Sequence, residues 1–319
     1  MKIVVISGGD GYIGSAIKRA LNKHEEIRTI SVDINPKSKD TLIFDLALDG
    51  ETDDLYNTLT QKNIQKGDQY IGWIHCAAWK DLNESYNVPF EYYDNNLKSL
   101  INSLGLAHRL GVEKFIFSSS AAIYPDDMLG ETKESDLDLD KTASPYGFTK
   151  AIGERIVHEI ATQYKFTSIC FRYGNPMGTD GDSLDLTTTM FGNVVNCLKN
   201  NETFHIYGGD YPHGDGTCIR DYIDLRDLVL AHIKVISTPI MDPIHESINL
   251  GSGKPISCLE ICKTVQKLYP EFKYDIVEKR AGDAYGCYFN TDLATAYEFQ
   301  GDTSLEDSIR NLIETAMNK

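Results

Sequence analysis

Gly8-Gly9-Asp10-Gly11-Tyr12-Ile13-Gly14 follows the apolar run Ile3 to Ile6 and leads straight into a helical pattern, and this order of strand, glycine turn and helix sets the reading of the whole chain. The stretch reads both as GxGxxG and as GxxGxxG. Glycines there allow a tight turn and let a pyrophosphate approach the backbone at the positive end of a helix. A plain tight turn is the alternative. On the nucleotide reading, Gly8, Gly11 and Gly14, with the backbone of Tyr12 and Ile13, are the candidate phosphate contacts. Asp33 ends the next strand 19 residues after Gly14, where a carboxylate accepts the ribose hydroxyls of an adenine nucleotide. Its charge would repel a 2′-phosphate, which selects NAD over NADP, although Lys37 lies nearby. Asp45, closing a Thr41 to Phe44 strand, is a candidate adenine contact, a surface aspartate being the other reading.

Working outward, short β-rich runs alternate with helical patterns: Lys2 to Ser7, Tyr12 to Asn22, Arg28 to Asp33, Tyr70 to Cys76 and Asn87 to Leu110. Strands at Lys114 to Ser118 and Thr167 to Tyr173, with a helix from Tyr146 to Tyr164 between them, extend the series. The alternation predicts an α/β fold with a doubly wound parallel sheet of the Rossmann type, its functional edge at the carboxyl ends of the strands. After Tyr173 the loop-rich stretches Gly174 to Asp185 and Gly208 to Thr217 predict a second, smaller α/β substrate lobe, while the run Asp224 to Ile236 has the apolar period of a sheet-covering helix. The expected division is 1–174 plus roughly 217–238 for NAD binding, and roughly 175–216 plus 239–319 for the substrate.

The 319 residues suffice for two lobes, and 41% hydrophobic with 10% aromatic content is that of a globular protein. A net charge of −16 repels phosphate polymers and anionic lipid, so no nucleic acid and no membrane partner is expected. No apolar run approaches the ~18 residues of a membrane span, and Met1 to Ser7 reads as a strand rather than an export signal, which predicts a cytoplasmic protein. An anionic small substrate requires local cations; Lys80, Arg172, Arg220 and Arg280 are candidates, with ion pairing as the competing role. Seven cysteines form no CxxC, and Cys258 and Cys262 sit one turn apart behind a Ser257…Glu260 capping-box pattern. Reduced thiols and no structural zinc follow. The eight histidines lack metal-ligand spacing, so no metal is expected.

Tyr146-Gly147-Phe148-Thr149-Lys150 carries the chemistry. Ser144 and Pro145 look like a helix start, so Tyr146 and Lys150 fall on one face about one turn apart and reach the same substrate atom. A phenol, whose ordinary pKa is about 10, is a poor base at neutral pH, and a fixed ammonium beside it is expected to lower that value. Proton and hydride chemistry is the functional reading; a solvated helix face is the other.

With these residues together, the chain resembles the extended short-chain dehydrogenase/reductase superfamily, and within it the UDP-glucose 4-epimerases. The resemblance spans nearly the whole length, carried by GGDGYIGS at 8 to 15, EYYDNNL at 91 to 97, FIFSSSAAIY at 115 to 124 and SPYGFTK at 144 to 150. More particular are GGDYPHGDGTCIRDYI at 208 to 223, NLGSG at 249 to 253 and RAGD at 280 to 283. The resemblance implies that Ser120 binds the reacting hydroxyl, Tyr146 exchanges its proton, and Lys150 holds the nicotinamide ribose and tunes Tyr146. It implies cofactor contacts from Lys80, Asn95 and Tyr173. Asn175, Arg220 and Arg280 would grip the nucleotide sugar and its diphosphate, and Asp283 the uridine ribose. A homodimer, through the helices around Asn87 to Leu110 and Tyr146 to Tyr164, is implied by the family alone.

Three positions depart from the family pattern. Gly174 replaces an aromatic before the Asn-Pro of an RYFNP stretch, which is expected to open space beside the nicotinamide or sugar. The loop after Gly178 is short, and Thr188 replaces an asparagine on the diphosphate. Cys287 stands at a pocket-wall position often held by tyrosine, where a smaller side chain admits a 2-acetamido group. The implied reaction interconverts UDP-glucose and UDP-galactose through a 4-keto sugar by transient hydride transfer to bound NAD. UDP-N-acetylglucosamine or UDP-glucuronate 4-epimerisation are alternatives, followed by dehydration or decarboxylation and by a non-catalytic NAD-binding role. Ala121 and Ala122 stand where nucleotide-sugar 4,6-dehydratases carry Asp-Glu, which argues against elimination.

Overall fold

A computed structural model describes the chain except residues 62–64, 66, 126, 127, 187, 188, 213, 240, 280–285 and 300. The elements begin β1 (Lys2–Ser7), α1 (Tyr12–Leu21), β2 (Ile27–Asp33), β3 (Leu42–Ile43), α2 (Thr52–Gln61) and β4 (Gln69–His75). They continue with α3 (Leu82–Asn87), α4 (Pro89–Arg109), β5 (Lys114–Ser120), β6 (Leu129–Thr132), α5 (Pro145–Tyr164), β7 (Thr167–Tyr173) and β8 (Asn175–Met177). Next come α6 (Met190–Asn200), β9 (Thr203–Tyr207), β10 (Ile219–Arg220), β11 (Tyr222–Asp224) and α7 (Leu225–Ser237). The chain closes with β12 (His245–Leu250), β13 (Ile256–Ser257), α8 (Cys258–Leu268), β14 (Lys273–Val277), β15 (Gly286–Phe289), α9 (Asp292–Ala296) and α10 (Leu305–Met317).

Two compact units form. The first comprises Met1–Tyr124, Leu137–Arg172 and Ala231–Ile248; the second comprises Pro125–Asp136, Tyr173–Leu230 and Asn249–Lys319. A seven-stranded sheet of order β12-β7-β5-β4-β1-β2-β3 carries the first unit. Strand β1 pairs in parallel with both β2 and β4, β2 with β3 and β4 with β5. The winding therefore reverses beside β1, and the turn after β1 opens at that switch point. Ile3, Val4, Val5 and Ile6 are all fully buried, the continuous apolar run expected of a strand covered on both faces. On one face Ile3, Val5, Trp73 and Phe115 pack with Leu55 and Leu59 of α2, Leu100 and Leu104 of α4 and Val157 and Ala161 of α5. Each fully buried aliphatic side chain there contributes about 1.5–3 kcal/mol.

The expected helix from Asn87 to Leu110 is α4, which starts two residues later, at Pro89, just after the short α3. Val88 leaves helical space at φ −130° and ψ 60°, because the ring of Pro89 clashes with a helical predecessor, and α4 starts with that proline in its first turn. Helix α5 is set more tightly. The Ser144 hydroxyl accepts the Gly147 amide at 3.0 Å, and a methyl group on Gly147 would lie 2.0 Å from the Ala122 carbonyl oxygen. Only glycine lets α5 lie this close to the turn that ends β5.

In the second unit, β8 pairs with β11, β9 with β14 and β6 with β15, all parallel, while β10 and β13 are antiparallel. Its core joins Phe191 and Val194 of α6, Ile261 and Val265 of α8 and Ile309 and Leu312 of α10 to Phe204 and Ile206 of β9. Ser257 caps α8 by accepting the Glu260 amide at 3.0 Å, as the capping-box pattern predicts. Among the described residues no helix is long and apolar enough to cross a membrane.

Candidate active site

The glycine turn sits at the carboxyl end of β1. Gly8 has φ +72°, and a methyl group there would lie 2.7 Å from the Ala77 amide nitrogen; one on Gly14 would lie 2.2 Å from the Gly8 carbonyl oxygen. Larger residues would break the turn. No side chain caps α1 at Gly11, and its first turn holds no acid, so the helix's positive end is left for an anion. The cradle fits a dinucleotide pyrophosphate. Half-buried Asp33 has its oxygens aimed by two backbone amides, from Asp10 at 3.0 Å and Asn35 at 2.9 Å, with lone pairs remaining for hydroxyl donors. Asp45 accepts the Ala47 amide at 2.9 Å and so closes the turn after β3.

At the end of β5, the half-buried Ser120 accepts the Ala122 amide at 3.1 Å and hydrogen-bonds Tyr146. Tyr146 and Lys150 come from the first turns of α5, with the Lys150 ammonium 4.8 Å from the Phe117 ring centroid and 6.0 Å from that of Tyr146. Lys150 is buried, and desolvation pulls its pKa down to about 8, with the Cys76 thiol opposing. Burial, helped by the Lys150 charge, also takes His75 down to about 3, so this imidazole is neutral; it meets the Ser7 hydroxyl at 2.8 Å. Cys76 is pushed up to about 11 by burial, against a hydrogen bond from Ser118 at 3.2 Å, and stays a thiol.

Tyr146 itself corrects an expectation. Burial pushes the phenol above its ordinary range and the Ser120 hydrogen bond only partly offsets it, whereas the ammonium was expected to lower it. The reason is placement: Lys150 lies over Phe117, and desolvation lets it shed its proton at about pH 8, before the phenol ionises. A consequence is measurable. Lys150 binds its proton less tightly folded than unfolded, so it destabilises the chain fully below about pH 8, and the penalty fades as pH rises toward the ordinary lysine value near 10.5. Lys150→Met is therefore expected to stabilise the nucleotide-free chain by about 2–3 kcal/mol at pH 7 and by little at pH 10.5, read from urea midpoints. A destabilised variant at pH 7 would count against a desolvated ammonium.

Arg172 is also reassigned. It is 4% exposed, donates from Nη2 to Glu154 Oε2 at 2.7 Å and from Nε to Oε1 at 3.0 Å, and gives Nη1 to the Tyr124 hydroxyl at 2.8 Å. This cation holds the core together and does not meet a substrate anion. The exposed Lys80 lies in the loop after β4, and half-buried Asn95 donates to Asn96 at 2.9 Å. Asn96, passed over in the sequence, clamps that loop: its oxygen accepts the Trp79 amide at 2.8 Å, and its nitrogen donates to the Trp79 carbonyl and to Thr149, both at 3.1 Å. An EYYDNNL stretch offers two adjacent asparagines, and helical phase alone does not say which faces inward.

In the second unit, buried Tyr173 ends β7, and half-buried Asn175 opens β8, where its side chain hydrogen-bonds Tyr222. Arg220 closes β10 with Nη1 on the Ile219 carbonyl at 2.7 Å and on the Cys218 sulfur. A methyl group on Gly286, at φ +117°, would lie 3.0 Å from that same Nη1, so β15 and its Cys287 run beside Arg220. Gly174 does not open space: a methyl group there would meet the Asp221 carbonyl oxygen at 3.0 Å. The adjacent Asp221 carboxylate accepts amides of Ser252, Gly253 and Phe289 at 2.7, 3.0 and 3.0 Å, tying the NLGSG loop to β15. Thr188, Arg280 and Asp283 lie outside the described residues.

Known proteins resemble this chain over most of its length. A family model described as the NAD dependent epimerase/dehydratase family matches residues 4–251. The UDP-glucose 4-epimerase of Haemophilus influenzae is 31% identical over 312 residues, covering 91% of this chain and 90% of the relative. That of Neisseria meningitidis serogroup C is 31% identical over 338 residues, covering 97% of each. The crystal structure of UDP-glucose 4-epimerase from Bifidobacterium longum, in complex with NAD+ and UDP, superposes with a TM-score of 0.85 at 26% identity, covering 99% of this chain and 98% of that one. The chain belongs to the NAD dependent epimerase/dehydratase family.

Proposed function

We propose that the protein is an NAD-dependent UDP-hexose 4-epimerase interconverting UDP-glucose and UDP-galactose. The observation that carries this is Tyr146 hydrogen-bonded to Ser120 with Lys150 buried one helical turn on, in the same unit as the uncapped glycine turn. NAD, when bound, supplies a reversible two-electron oxidation of the sugar carbon. Ser120 holds the 4-hydroxyl, and Tyr146, acting as the phenolate, accepts its proton to become the phenol and later returns it. Lys150 holds the nicotinamide ribose.

Gly8, Gly11, Tyr12, Ile13 and Gly14 would hold the pyrophosphate, Asp33 the adenosine ribose and Asp45 the adenine. Lys80, Asn95 and Tyr173 complete the cofactor contacts. Asn175, Thr188, Arg220, Arg280, Asp283 and Cys287 would hold the UDP-sugar, so the first unit serves NAD and the second the nucleotide sugar. A cytoplasmic homodimer acting in galactose metabolism accords with this reading. Ala121 and Ala122, directly after Ser120, carry neither acid nor base, which favours isomerisation over elimination.

The test is NAD-loaded protein offered UDP-galactose, UDP-N-acetylgalactosamine and UDP-galacturonate in parallel. UDP-glucose is expected from the first. No conversion of the plain or the acetamido sugar would sink the reading, and a 4-keto-6-deoxy product would reassign the chain to elimination.

A further inference from the structure

Asp10, the one acidic residue inside the glycine turn, has no part in the chemistry above, yet it is 3% exposed and crowded with donors. Its Oδ1 receives the Lys18 ammonium at 2.9 Å and the Ser31 hydroxyl at 3.3 Å. Its Oδ2 receives the backbone amides of Lys37 at 2.6 Å and Ser38 at 3.2 Å, and the Thr41 hydroxyl at 2.8 Å. An ammonium, two hydroxyls and two consecutive amides converging on two oxygens make the donor set of a phosphate site, comparable to the nests that hold anions in loops. Here the anion is the protein's own. The Asp10 amide in turn donates to Asp33 Oδ2 at 3.0 Å, so this filled anion site adjoins the carboxylate assigned to the adenosine ribose.

We propose that Asp10 is a built-in anion occupying the position a cofactor 2′-phosphate would otherwise take, and that it makes this chain selective for NAD over NADP together with Asp33. The proposal rests on the NAD reading given above. It resolves the position of Lys37: the amides of Lys37 and Ser38, which would welcome a phosphate, are consumed by Asp10. The same contacts keep the carboxyl ionised. Against burial, the Lys18, Lys37, Thr41 and Ser38 bonds hold it down at about 2, so the repulsion is present at every working pH.

The experiment is calorimetric titration of cofactor-stripped protein with NAD and with NADP, for the wild type, Asp10→Ser and Asp10→Asn. Removing a unit charge a few ångströms from a phosphate is expected to tighten NADP by about tenfold or more in Asp10→Ser, with NAD changed by less than about threefold. Asp10→Asn keeps the shape and one acceptor while losing the charge, so it reports even if the serine variant fails to fold, and NADP is expected to tighten there too. NADP affinity unchanged, or NAD and NADP weakened in parallel, would reduce Asp10 to a staple of the 37–41 loop and overturn the proposal. A wild type that binds neither dinucleotide would instead overturn the parent NAD reading.

Discussion

Tyr146→Phe is expected to lower turnover by about 10²–10⁴-fold, the usual contribution of a positioned acid–base group, while NAD affinity stays within about threefold of the wild type. The argument is local. The substitution deletes one oxygen, the one that hydrogen-bonds Ser120, and leaves the aromatic ring in place. Lys150 is anchored separately, buried over Phe117 at 4.8 Å, and the glycine turn and Asp33 are untouched. Steady-state rates and fluorescence titration with NAD separate the two effects. Undiminished turnover would remove Tyr146 from its role, and loss of NAD binding would make it a structural residue.

Glu154→Ala is expected to destabilise the protein by about 3–5 kcal/mol, because it leaves a guanidinium buried without its counter-charge. Arg172 and Glu154 are 4% and 3% exposed, and Glu154 also accepts the Ser119 hydroxyl at 2.5 Å and that of Ser247 at 2.8 Å. Arginine cannot escape by losing its proton, and the pair raises its pKa further against burial. Ser119 precedes Ser120, and Glu154 follows Lys150 by one turn, so the network ties the serine strand to the helix carrying Tyr146. Urea unfolding measures the loss. The double variant Glu154→Met with Arg172→Leu removes both charges and is expected to recover most of it, whereas a single-variant loss under about 1 kcal/mol would show that the pair is not a principal tie.

Much of this was legible in the chain because it depends on local order. The glycine turn, Asp33 and the Tyr146…Lys150 spacing follow from strand and helix period, and the parallel sheet follows from their alternation. What escaped depends on residues distant in sequence. Arg172 looks like a free cation until α5 brings Glu154 to it from 18 residues away. Asp10 reads as a filler of the motif, since the loop that surrounds it arrives 27 to 31 residues later. Gly174 suggests space, but its missing side chain points at Asp221, so the glycine answers a close approach. The direction of the Tyr146 shift was missed for the same reason, as burial outweighs a nearby charge and burial is not written in spacing. The start of α4 at Pro89 rather than Asn87 was readable, because a proline stands there in plain view.

The central claim is that the sugar is oxidised and then reduced again at the same carbon before it leaves. Incubating NAD-loaded protein with UDP-galactose carrying deuterium at C4 tests it most directly. UDP-glucose with the deuterium retained at C4, and no net reduced cofactor, is the predicted result; product whose C4 label has exchanged with solvent, or reduced cofactor accumulating with an oxidised sugar, would contradict it.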